Sequence, residues 1–194
     1  VIVFIALFAN WITPQNPHDL MQIDILDNLR PPGSEALVGY TYLLGTDQLG
    51  RDLLSRIIFG ARISLIVAAV TLGIGGGVGV SLGLLSGYYG GWVDELIMRL
   101  VDIVLAVPLI LVALVLVVSV GQSFAMIVGV LAIWIWPRFA RMVRGEVLQL
   151  KTLDYVALAR VAGASTPRIL LICLFPGTIN ALIVVATLQV GIVI

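Results

Sequence analysis

Lys151-Thr-Leu-Asp-Tyr-Val-Ala-Leu-Ala-Arg160-Val-Ala-Gly163-Ala-Ser-Thr-Pro167-Arg168 is a polar island between two apolar runs. Its residue order predicts a short helix, a stop and a new helix. Gly163 is the residue type that takes the left-handed backbone ending a helix. Thr166 is a good N-cap, and Pro167 after it falls at the first helical position, where its missing N–H costs nothing. A rigid, small-residue knuckle between two membrane spans is a surface offered to a partner at the membrane face.

The rest of the chain supplies those spans. Of 194 residues, 60% are hydrophobic and 11% charged, against about 25% charged in soluble domains. This composition is that of a membrane protein. Lys plus Arg and Asp plus Glu balance at 11 each, so the placement of charge carries more information than its sum. Cys173 is the one cysteine and lies in an apolar run. That excludes an intrachain disulfide framework and predicts a buried, inert thiol. With His18 as the one histidine there is no His/Cys cluster for a metal, and His18 reads as a loop residue.

Val1–Ile12 is apolar but shorter than the roughly 20 residues a spanning helix needs. It reads as the outer part of a first transmembrane helix. A cleaved leader is the alternative, although Asn10-Trp11-Ile12-Thr13-Pro14 lacks a small-residue cleavage pattern. The chain starts and stops inside apolar runs, which predicts continuation at both ends. Thr13 to about Gly60 is polar and rich in proline and glycine, a loop or small subdomain. Within it, Thr46–Arg56 reads as a turn leading into an amphipathic helix with Leu53, Leu54, Ile57 and Ile58 on its apolar side.

Residues 61–194 read as the transmembrane core. Spans are expected from Ile63 to about Leu85, from about Ile97 to Val120 with Pro108 inside, from Phe124 to about Trp136, and from about Ile169 onward. The third is expected to continue as a helix past Pro137. Tyr88, Tyr89 and Trp92 suit the headgroup level. Arg138, Arg141, Arg144, Lys151, Arg160 and Arg168 gather around the island, and basic residues favour the cytoplasmic side. The island and the Ser86–Glu95 turn are therefore expected inside, and residues 13–60 outside. Arg51, Arg56 and Arg62 weaken that asymmetry without reversing it.

Gly75, Gly79, Gly83 and Gly87 recur every four residues, with Gly73 and Gly77 as a second, staggered pair. Residues at i and i+4 share a helix face, and small residues let helix backbones approach in lipid. The ladder predicts a close helix crossing, either static or sliding during transport. Near the start of the second span, Glu95 and Arg99 are four apart and Arg99 and Asp102 three apart. That spacing predicts a paired interfacial cluster. The sharper alternative sets Arg99 and Asp102 beside a solute or proton path, although no carboxylate or histidine lies in 103–120 or 124–135 to relay a proton.

The chain carries no Gly-x-x-x-x-Gly-Lys-Ser/Thr phosphate loop, no His-Glu-x-x-His and no Gly-x-Ser-x-Gly. Gly75-Gly-Gly-Val-Gly lies inside a span and is not a nucleotide loop. No catalytic residue is predicted, and any ATP would be hydrolysed by another chain.

Asp154-Tyr-Val-Ala-Leu-Ala-Arg-Val-Ala-Gly163-Ala-Ser, with Pro176 downstream, resembles the Glu-Ala-Ala loop of inner-membrane permease subunits of ATP-binding-cassette importers. Leu44–Ser64, with its Gly-Thr-Asp-Gln-Leu-Gly-Arg-Asp core, is similar to the dipeptide/oligopeptide/nickel group, specifically its second, C-type subunit. Ser86–Asp94 and Arg99–Pro108 match that group too, so the resemblance covers nearly everything from about Leu43 on. It implies an all-α, polytopic transmembrane bundle of the type I importer permease fold, with an extracytoplasmic loop after the first helix. It also implies a further span after Ile194.

The implied partners are a homologous second permease, two ATP-binding cassette ATPase subunits that use ATP and Mg, an extracytoplasmic solute-binding protein facing residues 13–60, and membrane lipid; no nucleic acid is implied. The loop is implied to dock in a cleft of the ATPase and to drive alternating access. Carried onto this chain, coupling falls on Asp154, Tyr155, Ala157, Leu158, Ala159, Arg160, Gly163, Ala164, Ser165, Thr166 and Arg168. The family glutamate is replaced by Ala157, and of the later Ile-x-Leu-Pro, on Cys173–Pro176, only the proline is kept. Docking here would rest on small residues and on Arg160 and Arg168.

The leading reading is a permease subunit for di- or oligopeptides, with nickel or another small solute as the alternative. An intramembrane enzyme would need a nucleophile and base at depth, and Ser119 or Ser123 without a nearby base serves poorly. A non-transporting scaffold would show no solute flux with all partners present.

Overall fold

The computed structural model describes residues 2–13, 25–36 and 39–193. His18 lies outside them, as does most of the proline-rich start of the polar segment. The chain divides into two units, residues 1–66 and 67–194.

In the first unit, α1 (Ile2–Leu7) and α2 (Ala9–Ile12) are short. Ala9 is fully buried against Ile58 and Phe59 of α3 (Leu53–Thr71). Between them lies a small hydrogen-bonded assembly. β1 (Ser34–Glu35) and β2 (Thr41–Tyr42) pair antiparallel, Ser34 opposite Tyr42. The buried Asp27 carboxylate accepts from Tyr42 Oη at 3.0 Å and pairs with Arg30 Nε at 2.5 Å. Burial, then hydrogen bonds to Tyr40 and Asp27, raise the Tyr42 phenol well above its ordinary pKa.

Asp47 organises the turn before α3. Its Oδ1 accepts from the backbone N–H groups of Leu49 and Arg51, and its Oδ2 from Arg51 Nε at 2.9 Å and Arg56 at 2.6 Å. Burial alone would raise this carboxyl; the two backbone donors and the Arg51 guanidinium outweigh it and hold the pKa below the usual range. Asp52 then caps α3, accepting from Ser55 N at 2.8 Å and Ser55 Oγ at 2.5 Å. This satisfies one of the orphan N–H groups of the first turn, that of Ser55.

α3 continues without interruption through a π-helical stretch, Leu72–Gly76, into α4 (Gly77–Tyr89). The amphipathic helix and the first span expected from the sequence are thus one 37-residue helix. Nothing breaks it because no proline falls between Leu53 and Tyr89.

In the second unit, Gly90 and Gly91, at φ +65° and +54°, turn the chain into α5 (Gly91–Ala106). The expected span from Ile97 to Val120 is not one straight helix. Val107 is extended (φ −91°, ψ 123°), as a residue before proline prefers, and α6 (Leu109–Val120) leaves at 80° to α5. Ser123 caps α7 (Phe124–Leu150), its Oγ accepting from Met126 N at 3.1 Å. Pro137 sits buried within α7, which runs on through it. After the island, α9 (Thr166–Arg168) passes through a second π-helical stretch, Ile169–Leu174, into α10 (Phe175–Val193).

α7 is the centre of this unit, contacting α4, α5, α6 and α10. Among the described residues three helices are long and apolar enough to cross a membrane, or four if α5 and α6 form one bent span. The fold is an all-α polytopic bundle, with the short β1–β2 pair as its one strand element among those residues.

Candidate functional site

The island folds as α8 (Asp154–Val161) followed by a tight reversal. Gly163 takes φ +77°. The N–H of Ala164 donates to Ala159 O at 3.0 Å and that of Gly163 to Arg160 O at 3.1 Å. This is the paired 6→1 and 5→2 closure that satisfies the last carbonyls of a helix. The restart differs from the sequence expectation by one residue. Ser165, extended at ψ 151°, precedes the helix, Thr166 is its first residue and Pro167 its second. No side chain caps it; Thr166 is therefore not the N-cap.

Three contacts fix α8 to the bundle, and a fourth anchors Lys151, the C-cap residue of α7 ahead of it. Val156 is fully buried in a cluster with Leu84 of α4, Val143 and Val147 of α7, and Ile169 and Leu174. Tyr155 Oη donates to Cys173 O at 3.3 Å. Arg160 lies 5.6 Å from the Tyr88 ring centre. Lys151 Nζ donates to Gly87 O at 2.8 Å, placing a cation on the carbonyl end of α4. Cys173 is only partly buried.

The opposite side of the knuckle is open. Leu158 and Val161 are 68% and 88% exposed, beside exposed Asp154, Ala157, Arg160, Gly163, Ser165 and Arg168. Ala159, Ala164 and Thr166 are half-buried, Ala164 against the Val156 cluster. A buried valine and a tyrosine hydrogen bond thus hold a helix whose outward edge is apolar and uncovered among the described residues.

The glycine ladder meets α7. A Cβ on Gly75 would lie 2.9 Å from Ala132 O, and one on Gly79 would fall on Trp136 O and 2.6 Å from Phe139 Cβ. On Gly83 it would lie 2.6 Å from Ala140 O, and on Gly87 2.7 Å from Val147 Cβ. The contacts advance in the same direction along both helices, so α4 and α7 pack parallel with backbones nearly touching. Gly73 and Gly77 face nothing within 4 Å and take no part.

The charges at the start of α5 pair across helices instead of along one. Asp94 receives Ser86 Oγ at 2.5 Å and both Arg144 Nε at 2.5 Å and Arg144 Nη2 at 2.6 Å. Asp102 pairs with Arg141 at 2.6 Å, not with Arg99. Among the described residues Glu95 and Arg99 form no ion pair. They line, with Asp94, Met98, Asp102 and Arg144, a cleft of about 280 Å³. The expected Glu95–Arg99–Asp102 cluster is thus corrected: helical spacing allows those pairs, but α7 presents Arg141 and Arg144 in their place. Sequence reading placed Arg141 and Arg144 at the membrane face without assigning them partners. Lys151 carried no signal of its contact with Gly87.

Among the described residues no three His, Cys, Asp or Glu side chains gather as a metal site. Ser119 Oγ is bonded to Val115 O and Ser123 caps α7. Residues 79–194, from the ladder through the knuckle, match the family model described as binding-protein-dependent transport system inner membrane component. The chain belongs to this family. It is a multi-pass inner-membrane transport component.

Among its relatives, the glutathione transport system permease protein GsiD of Pectobacterium atrosepticum is 38% identical over 98% of this chain and 61% of its own length. The di/tripeptide transport system permease protein DppC of Pseudomonas aeruginosa is 42% identical over 97% of this chain and 61% of its own. GsiD of Escherichia coli O157:H7 is 39% identical over 98% and 60%. The chain thus spans about three-fifths of the length of these permeases, none of which is named as an enzyme.

Proposed function

We propose that this chain is the permease subunit of an ATP-driven importer of short peptides, glutathione-like tripeptides included. It pairs with a homologous permease to form the path. ATP and Mg are bound and hydrolysed by two cassette subunits, and a solute-binding protein delivers cargo to the extracytoplasmic segment 13–60. The knuckle 151–168 faces the cytoplasm and docks on the ATPase.

The observation that carries this reading is the rigid attachment of α8. Displacement of its exposed Leu158–Val161 edge by an ATPase would pass through Val156 into α4, α7 and the start of α10. A flexible loop would absorb that movement. The names of relatives at 38–42% identity, glutathione and di/tripeptide permeases, support the solute class.

The test is the full-length chain reconstituted with its second permease, ATPase and binding-protein subunits. Di- and tripeptides and glutathione should stimulate ATP hydrolysis when loaded on the binding protein, and Val161→Asp should abolish that stimulation while leaving the membrane complex assembled. Stimulation by a nickel chelate alone would replace the solute class. An intact complex that no solute stimulates would favour a scaffold.

A further inference from the structure

Arg138 sits near the middle of α7, 14 residues from Phe124 and 12 from Leu150. At 1.5 Å per residue it is about 21 Å from one end of the helix and about 18 Å from the other. A hydrocarbon layer about 30 Å thick, laid along α7 from either end, would contain it. Sequence reading expected the helix to continue past Pro137 and counted Arg138 among the basic residues of the cytoplasmic flank; α7 has that continuation, and its length sets Arg138 deeper than the flank. A cation there is costly, and such groups face a wetted cavity or path.

What surrounds Arg138 is short of acceptors. Its guanidinium lies 3.6 Å from the Trp134 ring centre, one face covered. One nitrogen donates to Gln189 Oε1 of α10 at 3.1 Å. Among the described residues it has no carboxylate partner. Gln189 is itself 4% exposed, and its Nε2 has no hydrogen-bond partner. Two neighbouring side chains thus offer unfilled N–H donors and a positive charge. The group they lack is an anionic acceptor. A carboxylate fits, having two oxygens for a planar fork and lone pairs left for an amide N–H.

The setting favours a passing group over a fixed one. Trp134, Arg138, Arg141 and Gly145 follow at spacings of four, three and four, a single stripe on α7. It lies opposite the face that Gly75, Gly79, Gly83 and Gly87 pack against. A lipid-facing stripe would be apolar, and Gly145 faces nothing within 4 Å. Arg138's permanent neighbour is a neutral amide, which holds the side chain in place without quenching its charge. We propose that Arg138 and Gln189 form a carboxylate-binding station on the solute path, taking the C-terminal carboxylate of the transported peptide. This rests on the peptide reading above.

The experiment compares uptake of one dipeptide as free acid and as C-terminal amide. Each is supplied at saturation on the binding protein, so that capture does not enter the ratio. The complete reconstituted importer should move the acid at least tenfold faster than the amide. Arg138→Gln should bring that ratio close to one, Arg138→Lys should keep an intermediate value, since a point charge replaces the fork, and Gln189→Leu should lower it. If Arg138→Gln does not assemble, the last two variants decide. A wild-type ratio near one overturns the station. So does a ratio that survives in the variants while both forms slow equally, the pattern expected if Arg138 pairs with an acid of the second permease. Uptake of neither form by the intact wild-type complex is a separate result: it refutes the peptide reading, and the station with it.

Discussion

Replacing Gly83 by alanine tests the parallel packing of α4 on α7 most directly. The added Cβ would lie 2.6 Å from Ala140 O and 2.8 Å from Val143 Cβ. Ordinary carbon contacts begin at about 3.5 Å, so α4 and α7 must part by roughly 1 Å. Neither obstacle can swing aside, one being backbone and the other the branch point of a β-branched residue.

Overpacking of this kind costs about 1–3 kcal/mol. Alanine also gains about 1 kcal/mol over glycine as a helix former, which masks part of the loss. Gly77→Ala removes the ambiguity. It lies six residues away in the same helix and faces nothing within 4 Å, so it takes the propensity gain without the clash. The difference between the two variants should therefore be about 1–3 kcal/mol, Gly83→Ala being the less stable.

The assay is SDS-induced unfolding of the purified chain in bicelles, followed by circular dichroism. Gly79→Ala combined with Gly83→Ala should cost less than the sum of the singles, because one separation of the helices relieves both overlaps. Equal stability of Gly83→Ala and Gly77→Ala would refute the packing argument.

Three further outcomes follow from particular contacts. Asp94→Asn and Arg144→Gln should each destabilise the bundle, and their double-mutant cycle should return about 1.5–3 kcal/mol of coupling, as for hydrogen bonds between charged groups; a coupling near zero would show that the pair does not hold α5 to α7. Asp47 is a carboxyl with a lowered folded pKa, so its contribution is fully present above the unfolded value of about 3.9 and is lost as pH falls through the folded one. Limited proteolysis near Arg51 should accelerate only in acid below about pH 4, and Asp47→Asn should show the fast rate at neutral pH; protection unchanged in that variant would sink the claim. At Gly163 there is open space but φ is +77°, so Gly163→Ala should cost about 1–2 kcal/mol through backbone strain alone and raise amide exchange over residues 154–166, while Gly145→Ala, with ordinary φ and open space, should not.

Composition and hydropathy runs alone established a polytopic helical membrane protein, because every backbone polar group in lipid must be satisfied within a helix. The glycine stop at Gly163 and the four-residue ladder were also legible, being local chemistry: a left-handed residue, and a repeat matching the helix period. What the sequence left open was each partner. Gly73 and Gly77 look as packable as Gly75 and Gly79, and only the direction from which α7 approaches separates them.

Asp102 lies within reach of Arg99 by spacing, yet Arg141 takes it, since pairing across helices depends on where a second helix runs. Pro108 announced a disturbance without its size, and the 80° turn depends on the extended Val107 and what α6 packs against. Arg138 shows the limit most sharply. A basic residue after an apolar run reads as the membrane edge even where, as here, the helix is expected to run past Pro137; how far it runs, 13 residues beyond Pro137, is what places Arg138. Local rules fix which residues turn helical and where helices stop. Which faces meet, and at what depth a charge lies, is settled only when the helices pack.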